Sequence, residues 1–185
     1  MIGVVVVIEA GTGGGHSPAA NPLRDNAIVL SSLDESLSRN EGQMLYEGEL
    51  FSGIVTTENA SGDLTTVPYS MGFKDGQEHA FYVDGSLKHT RTWRQGKREG
   101  EFLSYWPDGQ IKQAHFYEED LLEGQLEEWF TTGQQSRSFT YENGKEEGSQ
   151  KMWYEDGTIR ANYVVRDGRR FGSIGTKGCV SESNE

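Results

Sequence analysis

Paired aromatic residues recur along this chain every 24 residues: Phe81-Tyr82, Tyr105-Trp106, Trp129-Phe130 and Trp153-Tyr154. A second aromatic column, Tyr69, Trp93, Tyr117 and Tyr141, keeps the same beat. So do three glycine columns. The first holds Gly48, Gly72, Gly96, Gly144 and Gly168, with Asp120 in its one gap; the second holds Gly76, Gly100, Gly124, Gly148 and Gly172, with Gly53 one residue out of phase. The third holds Gly85, Gly109, Gly133 and Gly157, with Gly62 as its displaced counterpart. Between the glycine-marked turns lie segments of 9 and 11 residues, rich in aromatic and β-branched side chains, and these read as strands. The pattern predicts an all-β fold: an elongated antiparallel meander of about five consecutive 24-residue β-hairpin repeats in a single twisted sheet.

The turns supply a register. Asp84-Gly85, Asp108-Gly109 and Asp156-Gly157 are dipeptides favoured in two-residue type I′ loops, where both central residues need positive φ. Asn143-Gly144, Asp167-Gly168 and Gln95-Gly96 offer the same chemistry at the alternate turn. With two-residue loops, Trp106 pairs with Ile111, Tyr105 with Lys112, Tyr82 with Leu87 and Tyr154 with Ile159. Alternation then gathers Phe102, Leu126, Phe139, Met152 and Tyr163 onto one core face with Tyr82, Leu87, Trp93, Trp106, Ile111, Tyr117, Phe130, Tyr141, Tyr154 and Ile159. The second glycine column lands opposite Arg91, His115, Phe139 and Tyr163, where a ring could cover each glycine.

The opposite face is mostly polar but keeps one aromatic per repeat: Phe81, Tyr105, Trp129 and Trp153. Their expected cross-strand partners are Lys88, Lys112, Ser136 and Arg160, three of which are cations. This stripe is the candidate partner-binding surface. The competing reading is structural, since cross-strand pairs stabilise sheets by themselves and lysine stems cover rings. A lone sheet also exposes its apolar face, so either the sheet covers that face itself or a partner or second copy does.

Charge refines this picture. The net charge is −12, with 9 acids and 2 bases in residues 1–68 but 18 acids and 14 bases in residues 69–172. The array is nearly balanced, apart from the acidic stretch from Glu118 to Glu128, and there is no basic footprint for nucleic acid. The lone Cys179 excludes an internal disulfide. His16, His79, His89 and His115 lack metal-ligand spacing, and the last two fall on the core face as packed histidines. The glycine run of residues 11–15 lacks the Gly-Lys-Ser/Thr of a phosphate loop and reads as a linker. No serine sits in a nucleophile elbow. These observations predict no catalytic residues, no metal and no cofactor.

Residues 2–8 are apolar but far too short to span a membrane. They fit the stub of a secretory signal, with Ser17-Pro18-Ala19-Ala20 near a processing point, and residues 1–20 are expected to be mobile. Further on, residues 27–30 read as a short strand and residues 32–38 as a short helix. The organisation is therefore a flexible segment or signal remnant (1–22), a capping segment (23–45), a repeat domain (46–172) and a tail (173–185).

The stretches Trp93-Arg-Gln-Gly-Lys-Arg-Glu-Gly100 with Tyr105-Trp-Pro-Asp-Gly109, and Tyr141-Glu-Asn-Gly-Lys-Glu-Glu-Gly148 with Trp153-Tyr-Glu-Asp-Gly157, resemble MORN-type repeats. More narrowly, the chain resembles the bacterial variant found in YwqK-family antitoxins, over about residues 40–172. The resemblance implies a non-catalytic module that binds another macromolecule, with neutralisation of a cognate toxin as the family label. It departs at the first repeat, which has Glu58-Asn59 in place of an aromatic pair. The fourth repeat has Thr132-Gly133 and Gln135, so both are expected to pair less regularly.

The expected partner is another protein, a basic toxin by charge. Neither nucleic acid nor an integral membrane segment is expected. The alternatives are an envelope scaffold, oligomeric through the sheet face or edge, and a carbohydrate-binding module built on the Trp129–Trp153 row. Cytoplasmic and extracytoplasmic placement both stay open, the latter following if residues 1–8 are a truncated signal.

Overall fold

A computed structural model describes residues 28–173. The expected mobile leader, the signal stub, the glycine run and Cys179 lie outside them. The expected all-β meander is what the chain adopts, in sixteen strands. Among the described residues there is no helix, and so none long and apolar enough to cross a membrane. The chain divides into two compact units at Lys97/Arg98.

The first unit holds β1 (Val29–Ser31), β2 (Leu37–Asn40), β3 (Gln43–Tyr46), β4 (Glu49–Leu50), β5 (Gly53–Glu58), β6 (Leu64–Ser70), β7 (Phe73–Lys74), β8 (Gly76–Phe81) and β9 (Leu87–Arg94). Its main sheet runs β1-β5-β6-β8-β9 with β7 beside β6, and β1 is parallel to β5. Strands β2-β3-β4 form a separate small sheet. Backbone bonds from Met44 N–H to Gly72 O (2.8 Å) and from Gly72 N–H to Phe51 O (2.8 Å) tie it to the main one. Between them lies a core of Met44, Phe51, Val55, Val67 and Tyr69. Phe51 lies so close to Gly53 that an added Cβ would stand 2.6 Å from its ring and 2.4 Å from Ile28 O.

The strand expected in residues 27–30 is present as β1, but the expected helix in residues 32–38 is not. Asp34 instead makes a turn, its carboxylate accepting from Ser36 N–H (2.9 Å) and its carbonyl from Leu37 N–H (3.0 Å). The cause lies downstream. Glu41 and Gly42 both take positive φ (48° and 86°), forming a two-residue hairpin turn that commits residues 37–40 to pair with β3.

The second unit is a consecutive meander of β10 (Lys97–Tyr105), β11 (Ile111–Glu118), β12 (Leu121–Trp129), β13 (Gln135–Glu142), β14 (Lys145–Trp153), β15 (Ile159–Arg166) and β16 (Arg169–Ser173). Two kinds of turn alternate. At Asn143-Gly144 both residues have positive φ (50° and 76°) and Glu142 faces Lys145, the two-residue loop expected there. At Asp108-Gly109 only the glycine has positive φ (84°). Trp106 N–H donates to Gln110 O (2.8 Å) and Gly109 N–H to Trp106 O (2.9 Å), which makes a three-residue loop closed by a glycine bulge.

The same bonds recur at Tyr82/Gly85/Ser86, Phe130/Gly133/Gln134 and Tyr154/Gly157/Thr158. The type I′ expectation for the Asp-Gly dipeptides is therefore corrected. Aspartate serves there as an acceptor: Asp84, Asp108 and Asp156 each take the N–H two residues on, at 2.9–3.0 Å. The fourth repeat, expected to be irregular, closes its turn like the others without an aspartate and pairs Gly124–Trp129 with Gln135–Tyr141 in the shared register.

The longer loop moves the register near these turns by one residue. Tyr105 faces Ile111, Trp153 faces Ile159 and Phe81 faces Leu87, not the expected Lys112, Arg160 and Lys88. Trp129 faces Gln135 rather than Ser136. At the strand centres the expected core face is right: Phe102, Leu126, Phe139 and Tyr163 are buried, each 6–8% exposed. Beside the turns it is not, for Ile111, Tyr154 and Ile159 are exposed where the register shifts. In the second glycine column Gly172 faces Tyr163 as expected, whereas Gly124 and Gly148 fall in bulges and do not pair with His115 and Phe139. On the other neighbouring strand the column meets different residues. Gly53, Gly76, Gly100, Gly124 and Gly148 face Tyr69, Trp93, Tyr117, Tyr141 and Val165. A Cβ built at Gly76 meets the Pro68 side chain at 3.0 Å, one at Gly148 meets Thr140 at 3.6 Å and one at Gly124 meets nothing within 4 Å, so none is covered by an aromatic ring. The three carry positive φ, which breaks the regular ladder.

Candidate functional site

The stripe residues occupy equivalent places in the repeat. Phe81 ends β8, Tyr105 ends β10, Trp129 ends β12 and Trp153 ends β14, each directly before a three-residue turn, and all four are half-buried. The expected cations do meet rings, but the other ring of each aromatic pair. Lys88 lies over Tyr82 (5.2 Å), Lys112 over Trp106 (4.5 Å) and Arg160 over Tyr154 (5.9 Å). This follows from the register: with Tyr105 facing Ile111, Lys112 reaches Trp106 instead.

Lys88 is further committed, its ammonium 2.6 Å from the Asp63 carboxylate. Together with burial acting in the opposite sense and a bond from Asn59, that contact holds the Asp63 carboxyl below its ordinary value. In the second unit the Trp106 indole N–H donates to Trp129 O at 3.3 Å, linking successive hairpins near the stripe. The polar face also carries Phe116, 46% exposed, opposite Glu101 and Glu123.

The most concentrated chemistry lies at the strand centres. One slot recurs every 24 residues as a cross-strand pair: Glu78–Arg91, Phe102–His115, Leu126–Phe139 and Gln150–Tyr163. In the second unit the slot is mainly apolar and aromatic. His115 stacks on Phe102 with ring centroids 4.5 Å apart, and Phe139 meets Tyr163 edge-on at 6.2 Å. This burial is achieved by neighbours in the same sheet, with no second layer among the described residues of that unit.

In the first unit the slot holds an ion cluster. Glu78 is only 5% exposed. Its carboxylate accepts from the Trp93 indole N–H (2.8 Å), is hydrogen-bonded to His89 Nε2 (3.0 Å), and lies 3.7 Å from both Arg91 and Lys74. Burial alone would raise its pKa, but the bonds from His89 and Trp93 and the charges of Arg91 and Lys74 outweigh burial and hold it below the ordinary 4.5. Lys74 also lies 4.2 Å above the Trp93 ring, and burial pushes its pKa down.

A carboxylate bonded to a histidine can serve in proton transfer. Here, however, both Glu78 oxygens are engaged by neighbouring side chains, which is the arrangement of a buried ion cluster. The sequence reading missed Glu78 and Gln150, although the 24-residue column Glu78, Phe102, Leu126, Gln150 was there to find them. Gln150 is fully buried; its Nε2 donates to Thr140 O (2.8 Å) and Glu147 O (3.2 Å), while Oε1 has no hydrogen-bond partner. No known protein family matches this chain, and no curated protein is recognisably similar to it.

Proposed function

We propose that the chain is a non-catalytic repeat module that binds another protein. A toxin that it neutralises is the first partner to test. The observation that carries this reading is the repeated placement of half-buried rings at Tyr105, Trp129 and Trp153 before successive turns of one unit, each in the same register. Rigid aromatic side chains that keep one side accessible are the anchors from which protein interfaces draw most of their energy. A periodic row of them suits an extended macromolecular surface better than a small molecule. The resemblance to MORN-type repeats and YwqK-family antitoxins points the same way, and the net charge of −12 favours a basic partner.

The test is co-expression with the product of an adjoining gene that arrests growth. The wild-type chain is expected to restore growth and to co-purify with that product. Trp129→Ala with Trp153→Ala should weaken the complex by at least about tenfold, the loss of a single strong anchor, while the chain keeps a cooperative unfolding transition. An arrest that the wild-type chain leaves untouched, with no complex formed, counts against the antitoxin reading.

A second reading, an oligomeric scaffold, rests on β16. Among the described residues it is the last strand of its sheet, exposed throughout, with Phe171 55% exposed. An unpaired strand edge of this kind is a template for another chain. Concentration-dependent sedimentation of the wild type, lost with Phe171→Lys, would favour it.

A further inference from the structure

Between the small sheet and the main sheet of the first unit lies a hollow of about 360 Å³, of the size that takes a small ligand. Its floor is apolar, with Met44, Val55, Val67 and the ring of Tyr69 all buried; Arg39 and Lys74 reach it from opposite strands. Neither cation is well neutralised. Arg39 makes one hydrogen bond, to the Tyr69 hydroxyl at 3.5 Å, and among the described residues no carboxylate pairs with it.

Among the described residues the carboxylate nearest Lys74 is that of Glu78, whose oxygens are already bonded to His89 and Trp93 and which is shared with Arg91. Arg39 and Lys74 therefore put two positive charges beside one apolar hollow, in a chain that is acidic overall. Lys74 is half-buried and Arg39 exposed, so an anion held in the hollow would gain from a partly desolvated charge on one side and a solvated one on the other.

We propose that this hollow binds a small carboxylate with an apolar body. The apolar part lies over Met44, Val55 and Val67, and the carboxylate lies between Arg39 and Lys74. A carboxylate fits better than a phosphate dianion. The guanidinium fork matches its planar pair of oxygens, and the buried floor of Met44, Val55 and Val67 suits an apolar body, although the exposed hydroxyls of Ser32, Ser38 and Thr57 also line the hollow. The inference stands apart from the protein-binding reading, because the stripe and this hollow share no residue.

The probe is octanoate, titrated calorimetrically into the full chain. It is expected to bind, with acetate (the head alone) and octan-1-ol (the tail alone) each at least about tenfold weaker. Arg39→Gln with Lys74→Gln should weaken octanoate by at least about tenfold, whereas Lys74→Arg, which keeps the charge, should retain it. Circular dichroism of each variant separates lost binding from lost folding. Absence of octanoate binding overturns the proposal, as does equal binding of octan-1-ol or acetate, or unchanged affinity in the folded double variant. A short peptide ending in leucine, with its terminus free or amidated, identifies the source. Displacement of octanoate by the free form alone marks a chain end as the natural ligand; displacement by neither marks a free acid.

Discussion

The same slot of the repeat is filled in opposite ways in the two units. In the first, Glu78 faces Arg91 amid His89, Trp93 and Lys74; in the second, Leu126 faces Phe139. Backbone pairing is equivalent, so the fold does not dictate polarity there. What it dictates is burial, since Glu78 and Leu126 are 5% and 6% exposed. A buried side chain must either contribute hydrophobic free energy or have its polar atoms satisfied. Leu126 does the first. Glu78 does the second, at the cost of engaging four neighbours. Gln150 stands between: its amide nitrogen is bonded and its amide oxygen is not.

The largest effect is expected where the slot is apolar. Leu126→Ala removes buried methyl groups from a site with no second layer to collapse onto it, and should cost about 2–4 kcal/mol in urea denaturation. A loss well under this range would mean that the slot contributes pairing rather than packing. Glu78→Ala leaves several donors and charges without their acceptor and should cost about 2–3 kcal/mol. The sharper form of the comparison is the double change Glu78→Leu with Arg91→Phe, which writes the Leu126–Phe139 pair into the first unit. Well-packed apolar replacements of buried ion pairs are often neutral or stabilising, so the double variant should recover most of what Glu78→Ala loses. No recovery would show that the ion cluster also organises Lys74 and Trp93.

The two slots should also part with pH. The folded pKa of Glu78 lies below the ordinary 4.5, so its contribution is fully present above that value and is lost as pH falls through the folded pKa. Denaturation midpoints measured downward from pH 6 should fall more in the wild type than in the Glu78→Leu/Arg91→Phe variant, whose slot does not titrate. Parallel curves would refute the assignment. Smaller still is Gln150→Leu. It removes an unbonded buried oxygen but also two donated bonds, and should change stability by less than about 1 kcal/mol. The smallest effect is expected at the one three-residue turn of the second unit that lacks an aspartate. Thr132→Asp supplies the acceptor found at Asp108 and Asp156, and should raise the free energy of unfolding in urea slightly, by about 0.5 kcal/mol.

Much of the architecture was legible because a sheet's side-chain period is short and its turns are chemically marked. The 24-residue spacing located the hairpins. The Asn143-Gly144 turn was read correctly, since positive φ at both positions leaves few residue choices. Phe102, Leu126, Phe139 and Tyr163 were placed on the buried face because alternation from that turn survives to the strand centre. Asp108-Gly109 was misread because the dipeptide serves two turn types. It can lend both residues to a two-residue loop, or lend its glycine to a bulge and its carboxylate to the N–H of Gln110. That one-residue difference reassigned Lys88, Lys112 and Arg160 from the stripe rings to Tyr82, Trp106 and Tyr154.

By itself, then, the sequence determined the strand succession, the turn positions and the buried centre of each repeat, because these follow from periodicity within one hairpin. Only the tertiary structure decided which ring each cation covers, how Glu78 is satisfied, and that Arg39 and Lys74 meet beside one hollow. The first two turn on loop geometry and side-chain pairing within one hairpin, and the last depends on strands far apart in the chain. A repeat pattern specifies its own pairing closely but says nothing about what a separate sheet, such as β2-β3-β4, brings against it.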